Sequence, residues 1–381
     1  MRYGIFGGGQ LAWMLGRSVL QNGDSLRLLG VKDDDPATLL TPDWVLSSEL
    51  TPSMISECEA LLFESEFLDF DVWEPLLRNS LGVYPRPELM SRLSNKLEQK
   101  KLFDEMGFAQ PRYQVLAENK TLPKGNWVAK LSKQGYDGYG NFFLKESYDS
   151  AKWLSFLNKA EEKKIEIYLE EFCAFESECA LVVARDFRGN FLSYPLFFTQ
   201  QENGICSWVW GPAQTFDPSL KNVEQEAREL ARTFLDKIDY VGVMAFEFFL
   251  TKEKKLLLNE VAPRVHNSGH LTLEAFDLDQ FSLHCMAIRG FEKEQLQPLS
   301  KVYLMKNLLG TSEGISSWKA LVLKRDTSTA YWYGKQTLRK GRKHGHLTCL
   351  FDNPQDIQKY KNQLNESAQN LWQEVQLPVK I

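Results

Sequence analysis

"VGVMAFEFFL" (241–250) and "KKLLLNEVAPRVHNSGH" (254–270) flank a short charged turn, and their reading decides the fold. Each carries an acidic residue within an apolar run, Glu247 in the first and Glu260 in the second. Runs of this kind bounded by a turn predict an antiparallel hairpin. A two-residue loop at Glu253 and Lys254, or a four-residue loop with the same centre, places Glu247 opposite Glu260. Directly opposed residues share a face, with Cβ atoms about 5 Å apart. Two carboxylates that close repel unless a proton or a cation lies between them. Mg²⁺ suits such a pair, because it usually takes one or two carboxylates plus nucleotide phosphates. A register shifted by one is the alternative, and it leaves two solvated glutamates on different faces. Past Glu260 the chain gathers Arg264, His266, Asn267 and His270. The two histidines have the i,i+4 spacing of some zinc sites. Asn267 and Gly269 interrupt a helix there, so polar ligand contacts or structural roles fit better.

Outward from the hairpin, "RYGIF", "SLRLLGV", "WVLSSEL", "ALLFESE" and "GVYPRP" read as strands or strand ends. With "LAWMLGRSVLQNG" at helical spacing, they suggest a small doubly wound sheet through about residue 95. "LMSRLSNKLEQKKLFDEMGF" reads as one charged amphipathic helix. Then "NWVAK", "NFFLK", "IEIYLEEF", "ECALVVARD" and "FLSYPLFF" read as strands of a more antiparallel sheet. Helices follow at "NVEQEARELARTFLDKI" and at about 279–289. After residue 300 comes a basic, β-rich tail. The expected class is α/β (α+β), with domains over 1–95, 96–305 and 306–381.

Two glycine loops and one basic stretch complete the chemistry. "GIFGGGQLA" has G-x-G-x-x-A at Gly7, Gly9 and Ala12, between a strand and a helix. Helix-start N–H groups there can meet an anion, although a tight turn also needs glycine for geometry alone. "KLSKQGYDGYGN" (130–141) lets Gly135, Gly138 and Gly140 fold over phosphates beside Lys130 and Lys133. A flexible hairpin loop is the plain alternative, and the G-K-[ST] ending of a Walker A loop is absent. "YGKQTLRKGRKHGH" (333–346) is a basic patch in a chain of net charge −5, which suggests a small anionic ligand or a solvated charged hairpin.

Composition sets limits. The 381 residues allow two or three domains, and 43% hydrophobic with 25% charged residues is ordinary for a soluble globular protein. Neither nucleic acid nor a membrane is an expected partner. The six cysteines form no C-x-x-C pair, as expected of free thiols in a reducing cytoplasm. The start reads as a strand and a turn and not as a secretion signal.

Together, "GIFGGGQLA", "NKLEQKKLF", "GYDGYG", "YLEEFCAFESE", "MAFEFF", "NEVAPRVHNSGH", "QFSLH", "NLLG" and "YGKQTLRKGRKHGH" resemble, in order, the 5-(carboxyamino)imidazole ribonucleotide synthase family of the ATP-grasp superfamily. The resemblance implies an ATP-grasp fold with an N-terminal doubly wound parallel-sheet domain and a small β-rich C-terminal domain. It implies ATP- and bicarbonate-dependent carboxylation of aminoimidazole ribonucleotide through carboxyphosphate, with ATP and Mg²⁺ (or Mn²⁺), in a cytoplasmic homodimer. Lys96, Lys130 and Asn259 would serve ATP, with a lid at 135–141, Glu170, Glu171, Phe172 and Cys173 along the adenine, and Glu178 on the ribose. Glu247 and Glu260 would hold the metal. Tyr136, Asp137, Arg264 and His266 would surround the carboxyl transfer. Gly8, Gly9, Gln10, Glu64, Glu66 and Asn267 would line the ribonucleotide side, with Lys335, Arg342 and Lys343 at its phosphate. Departures from the family pattern stand at Trp13, Gln134, Tyr139, Asn141, Gln201 and Met286. They keep open a divergent ATP-grasp ligase with another acceptor, or a nucleotide-binding regulator on the same frame. A dehydrogenase would rest on the first glycine loop alone.

Overall fold

The computed structural model describes residues 1–67, 77, 82–117, 122–133, 135, 140–145 and 147–376. The N-terminal strand–helix alternation forms a five-stranded parallel sheet, ordered Trp44–Leu46, Ser25–Val31, Arg2–Phe6, Ala60–Phe63, Val83–Tyr84. The chain leaves the central strand, Arg2–Phe6, at the point where the strand order reverses, which is where open α/β sheets bind ligands. Helix Gln10–Gln21 starts there and buries Trp13, Met14 and Leu15. These belong to one core cluster with Phe281, Cys285 and Ile288 of helix Gln280–Arg289, so the first helix is fastened to the body of the molecule.

The charged stretch read as one helix is two, Pro87–Leu93 and Lys96–Glu105. The Asn95 side chain accepts hydrogen bonds from the N–H groups of Leu97 (2.9 Å) and Glu98 (3.3 Å), capping the second helix and starting it at Lys96. A four-stranded antiparallel sheet follows, ordered Tyr113–Val115, Ile167–Glu171, Trp127–Leu131, Asn141–Leu144. Helix Ser150–Glu162 packs Trp153, Leu157 and Ala160 into its core.

A ten-stranded antiparallel sheet forms the rest of the frame. It runs from Leu256–Ala262 and Gly242–Leu250 through Ser177–Arg185, Phe197–Glu202, Ile205–Gly211, Val302–Leu309, Lys343–Phe351 and Ser328–Trp332 to Leu321–Arg325. The run "FLSYPLFF" is not one strand. Phe191–Ser193 and Phe197–Glu202 pair separately with Ser177–Arg185, and Pro195, which has no N–H to donate, lies between them. The expected boundary after residue 305 falls inside Val302–Leu309. That strand pairs with both Ile205–Gly211 and Lys343–Phe351, so the ladder continues across it. The β-rich tail closes on a helix. Helix Ile357–Gln376 buries Leu364, Ala368, Leu371 and Val375 in a cluster with Val302, Leu304 and Leu308. Among the described residues no helix is long and apolar enough to cross a membrane.

Candidate active site

The hairpin does place Glu247 opposite Glu260, but not through the turn expected. Near its tip Leu250 pairs with Leu256 and Phe248 with Leu258, a register that alone would set Glu247 opposite Asn259. A bulge at Asn259 adds one residue, so that Glu247 meets Glu260 and Phe246 meets Val261. The turn at 251–255 is closed by Thr251, whose hydroxyl accepts the Lys255 N–H at 3.2 Å, with Lys254 at φ 60°. On the neighbouring strand Glu247 faces Ala180, and Glu178 lies two residues away on the same face. Three carboxylates therefore share one face of three adjacent strands.

Their charges differ. Burial, then Glu260 and Glu178, push the Glu247 carboxyl up to about 8. Burial likewise brings Glu178 to about 7. Burial also opposes charge on Glu260, but Lys96, 2.5 Å away, and Lys130 outweigh it and hold its carboxyl below the ordinary value. A proton on Glu247 thus takes the place where a cation would relieve the pair, and oxygen donors of this kind suit a hard divalent ion. Among the described residues no cage of three or more His, Cys, Asp or Glu side chains is gathered. Two protein carboxylates would leave the remaining positions to phosphate oxygens and water.

Beside them lies a second charge cluster. The Glu170 carboxylate bridges Lys130 at 2.5 Å and Lys100 at 2.7 Å, and Lys130 also donates to Asn259 Oδ1 at 3.3 Å. Burial opposes the Glu170 charge, yet the two lysines bring it to about 2. The Glu170 side chain is thus buried and held by lysines, and Glu170 borders the cleft. The Glu171 carboxylate takes two 2.7 Å hydrogen bonds from Arg112, and Glu171 also borders the cleft. Phe172 is exposed and lines the cleft with Cys173, near the stacked Phe175 and Phe249 rings, 4.7 Å apart. Lys100 was missed in the sequence, although it stands one helical turn from Lys96.

The segment after Pro263 is anchored from every side. Arg264 makes a two-pronged ion pair with Glu66 from the parallel sheet, through Nε to Oε2 and through Nη2 to Oε1 at 2.9 Å. His266 Nε2 lies 3.4 Å from Glu247 Oε1, and its Nδ1 meets the Ser268 hydroxyl at 2.9 Å. Burial, Arg264 and Lys343 keep His266 well below its ordinary value, hence neutral. Asn267 exchanges two amide hydrogen bonds with Asn307 of strand Val302–Leu309, at 2.9 and 2.7 Å. Gln99 ties the strand beside Glu260 to helix Lys96–Glu105, accepting the Val261 N–H and donating to the Val261 carbonyl, both at 2.9 Å. Asn307 and Gln99 were not singled out in the sequence, and a lone amide carries no signal there of what it will hold.

At the first glycine loop, the N–H groups of Gly9 and Ala12 donate to the Glu64 carboxylate at 2.9 and 3.2 Å. The helix-start N–H groups are already taken by the Glu64 carboxyl, which burial pushes above its ordinary value despite them, and this speaks against a dinucleotide pyrophosphate there. Gly9, Gln10, Glu64 and Glu66 line the cleft. Gly8 does not, because it packs against Asp35, 2.5 Å from where a Cβ would stand. Across the cleft Lys335 donates to the Lys343 carbonyl at 2.8 Å, and Lys335, Arg342 and Lys343 line the same wall. Gly135 lines it too, and Gly140 (φ 88°) packs on the Gly135 backbone. Tyr136, Asp137 and Gly138 lie outside the described residues. The other expected site residues, Lys96, Lys130, Glu178, Glu247, Asn259, Glu260, Arg264, His266 and Asn267, border this one cleft. Its volume of about 1130 Å³ exceeds that of most single-ligand pockets, so there is room for two guests.

Comparison with known proteins gives the family and supports the fold. Residues 101–281 match the model of the ATP-grasp domain, and residues 304–360 that of the phosphoribosylaminoimidazole carboxylase C-terminal domain. An N5-carboxyaminoimidazole ribonucleotide synthase of Synechocystis sp. is 33% identical over 363 residues, covering 91% of each chain. That of Saccharolobus solfataricus is 30% identical over 368 residues, covering 94% of this chain and 93% of its own. Among solved structures, the carboxyaminoimidazole ribonucleotide synthase of Aspergillus clavatus complexed with ATP superposes with a TM-score of 0.82 at 25% identity, over 97% of this chain and 98% of its own. The chain belongs to the N5-carboxyaminoimidazole ribonucleotide synthase family.

Proposed function

We propose that this member of the family carboxylates 5-aminoimidazole ribonucleotide at the expense of ATP and bicarbonate, giving the N5-carboxyamino product, ADP and phosphate. One observation carries the reading. A single anchored segment, 259–270, runs from the paired glutamates and lysines, which suit a triphosphate, to Arg264 and His266 at the wall shared with Lys335 and Arg342.

Lys96 and Lys130 take the phosphates of ATP, exchanging part of their hold on Glu260 and Glu170. Glu247 and Glu260 hold Mg²⁺, which offsets charge on the triphosphate when bound. Bicarbonate oxygen attacks the γ-phosphorus and ADP leaves, giving carboxyphosphate. Arg264 faces that dianion, a good match for a guanidinium. Carboxyphosphate releases phosphate and CO₂, and the exocyclic amine of the ribonucleotide attacks CO₂ and loses a proton. Neutral His266, held through Nδ1, stands ready to position the acceptor or to move that proton. Arg342 and Lys335 take the 5′-phosphate. The lid expected at 135–141, of which Tyr136, Asp137 and Gly138 lie outside the described residues, would keep water from a short-lived intermediate. A cytoplasmic homodimer belongs to the same reading, supported by the family resemblance.

The test is ADP release with ATP, Mg²⁺, bicarbonate and aminoimidazole ribonucleotide, omitting each in turn, with the carboxylated product measured beside it. Full release requiring all four supports the reading, and release indifferent to the ribonucleotide would overturn it. In His266→Ala, ATP should still bind while any ADP formed is poorly coupled to product.

A further inference from the structure

Gln280 is the first residue of helix Gln280–Arg289 and is fully buried. Asp279 caps that helix through the N–H groups of Phe281 and Ser282, and the Gln280 N–H donates to Thr272 Oγ1 at 3.0 Å. Its mount is therefore rigid. From it the carboxamide reaches back to the active segment. Oε1 accepts the His266 N–H at 2.9 Å, and Nε2 donates to the His266 carbonyl at 2.8 Å. Those two bonds fix which end of the amide is nitrogen. The second Nε2 hydrogen then points at His270 Nδ1, 2.9 Å away, so that nitrogen must accept. A neutral His270 consequently carries its proton on Nε2, and His270 borders the cleft. The glycine of "NSGH" has the same explanation. A Cβ on Gly269 would stand 2.4 Å from Gln280 Oε1, so the side chain of 280 fills the place of one at 269.

We propose that Gln280 is the positioning residue of the active segment: one buried carboxamide sets the backbone at His266 and presents His270 to the cleft as an Nε2–H donor. Such a donor suits an oxygen-rich guest, a carboxyl or phosphoryl group. The role in turnover rests on the reaction proposed above, but the hydrogen-bond assignment does not.

Imidazole nitrogen NMR on the whole protein tests the assignment, with His270 identified by the signal lost in His270→Gln. The wild type should show a protonated Nε2 and a bare Nδ1 at His270. Gln280→Glu, which sets an acceptor against Nδ1, should move the proton there or add a second one. A proton on Nδ1 in the wild type would overturn the proposal. For turnover, Gln280→Met and Gly269→Ala should each lower kcat at least about tenfold with KM for ATP within about threefold. Gly269→Ala should add little to Gln280→Ala, which vacates the space it needs. Folded variants with wild-type kcat would overturn the role in turnover. A wild-type protein that showed the expected tautomer but carboxylated nothing would instead overturn the functional reading.

Discussion

Two pairs of glutamates face the cleft, and the protein treats them in opposite ways. Glu64 and Glu66 follow the strand Ala60–Phe63, and each is met by donors of the chain itself: the N–H groups of Gly9 and Ala12 for one, the guanidinium of Arg264 for the other. Glu247 and Glu260 face each other across a bulge with a single close lysine between them, and burial forces the proton question onto Glu247. A buried carboxylate supplied with protein donors is a fastening. A half-buried carboxylate left short of them on the lining of the cleft is a place for a ligand. The acidic residue types are the same in both, and only the count of donors separates the roles.

The comparison can be broken most severely at the fastening. Glu66→Ala removes the two-pronged partner of Arg264 and should cost about 3 kcal/mol, the scale for breaking a buried ion pair. Urea unfolding should show the midpoint fall, and an unchanged midpoint would place Glu66 with the ligand carboxylates. At the other pair, Glu247→Gln or Glu260→Gln should lower turnover at least about tenfold. The melting temperature should hold in Glu247→Gln, which mimics the protonated carboxyl, and fall in Glu260→Gln, which takes from Lys96 its partner at 2.5 Å. Wild-type turnover at ordinary Mg²⁺ would remove the pair from the mechanism.

Arg342→Ala sharpens the division of the cleft. It should raise KM for the ribonucleotide about tenfold, the scale of one lost charge-assisted phosphate contact, and leave KM for ATP within about threefold. A rise for ATP instead would assign the basic wall to the other guest.

The last effect, confined to stability, comes from a third kind of glutamate. Glu274 accepts one hydrogen bond from Tyr331 at 2.8 Å, and burial pushes its carboxyl up to about 7. It is not among the residues bordering the cleft. Because the folded state keeps a proton that the unfolded chain releases near its ordinary value, stability should fall as pH rises from about 4.5 to 7. Glu274→Gln should therefore raise the melting temperature at pH 8 and change it little at pH 4. Equal shifts at both would show that its charge costs nothing. A raised carboxyl by itself does not mark a site.

How much of this was legible in the sequence varies with the kind of signal. Apolar runs located most strands, and the position of the two glutamates in theirs was enough to pair them. The pairing was nonetheless reached by the wrong route, because a five-residue turn and a bulge at Asn259 offset each other, and neither leaves a mark in the pattern of apolar residues. Asn95 divided a helix that periodicity alone runs together, although asparagine before a charged first turn is a readable cap. The different side-chain partners of Glu170 and Glu171 were not legible, because a strand alternates its faces: the first turns to lysines, the second to Arg112. Gln99, Gln280 and Asn307 were invisible for a different reason. An amide's partners are backbone and side-chain groups of other elements, and only the folded chain brings them within reach.

The ten-stranded sheet has one more consequence. Glu247 and Lys343 lie five strands apart along its ladder, yet the charge of Lys343 bears on Glu247. The sheet must curl until distant strands face each other. Much of the cleft is thus walled by one hydrogen-bonded fabric, which has no seam to open between the strand of the paired glutamates and the strand that follows Arg342. The four-stranded sheet is a separate fabric and brings Val128, Lys130 and Glu170 to the same cleft.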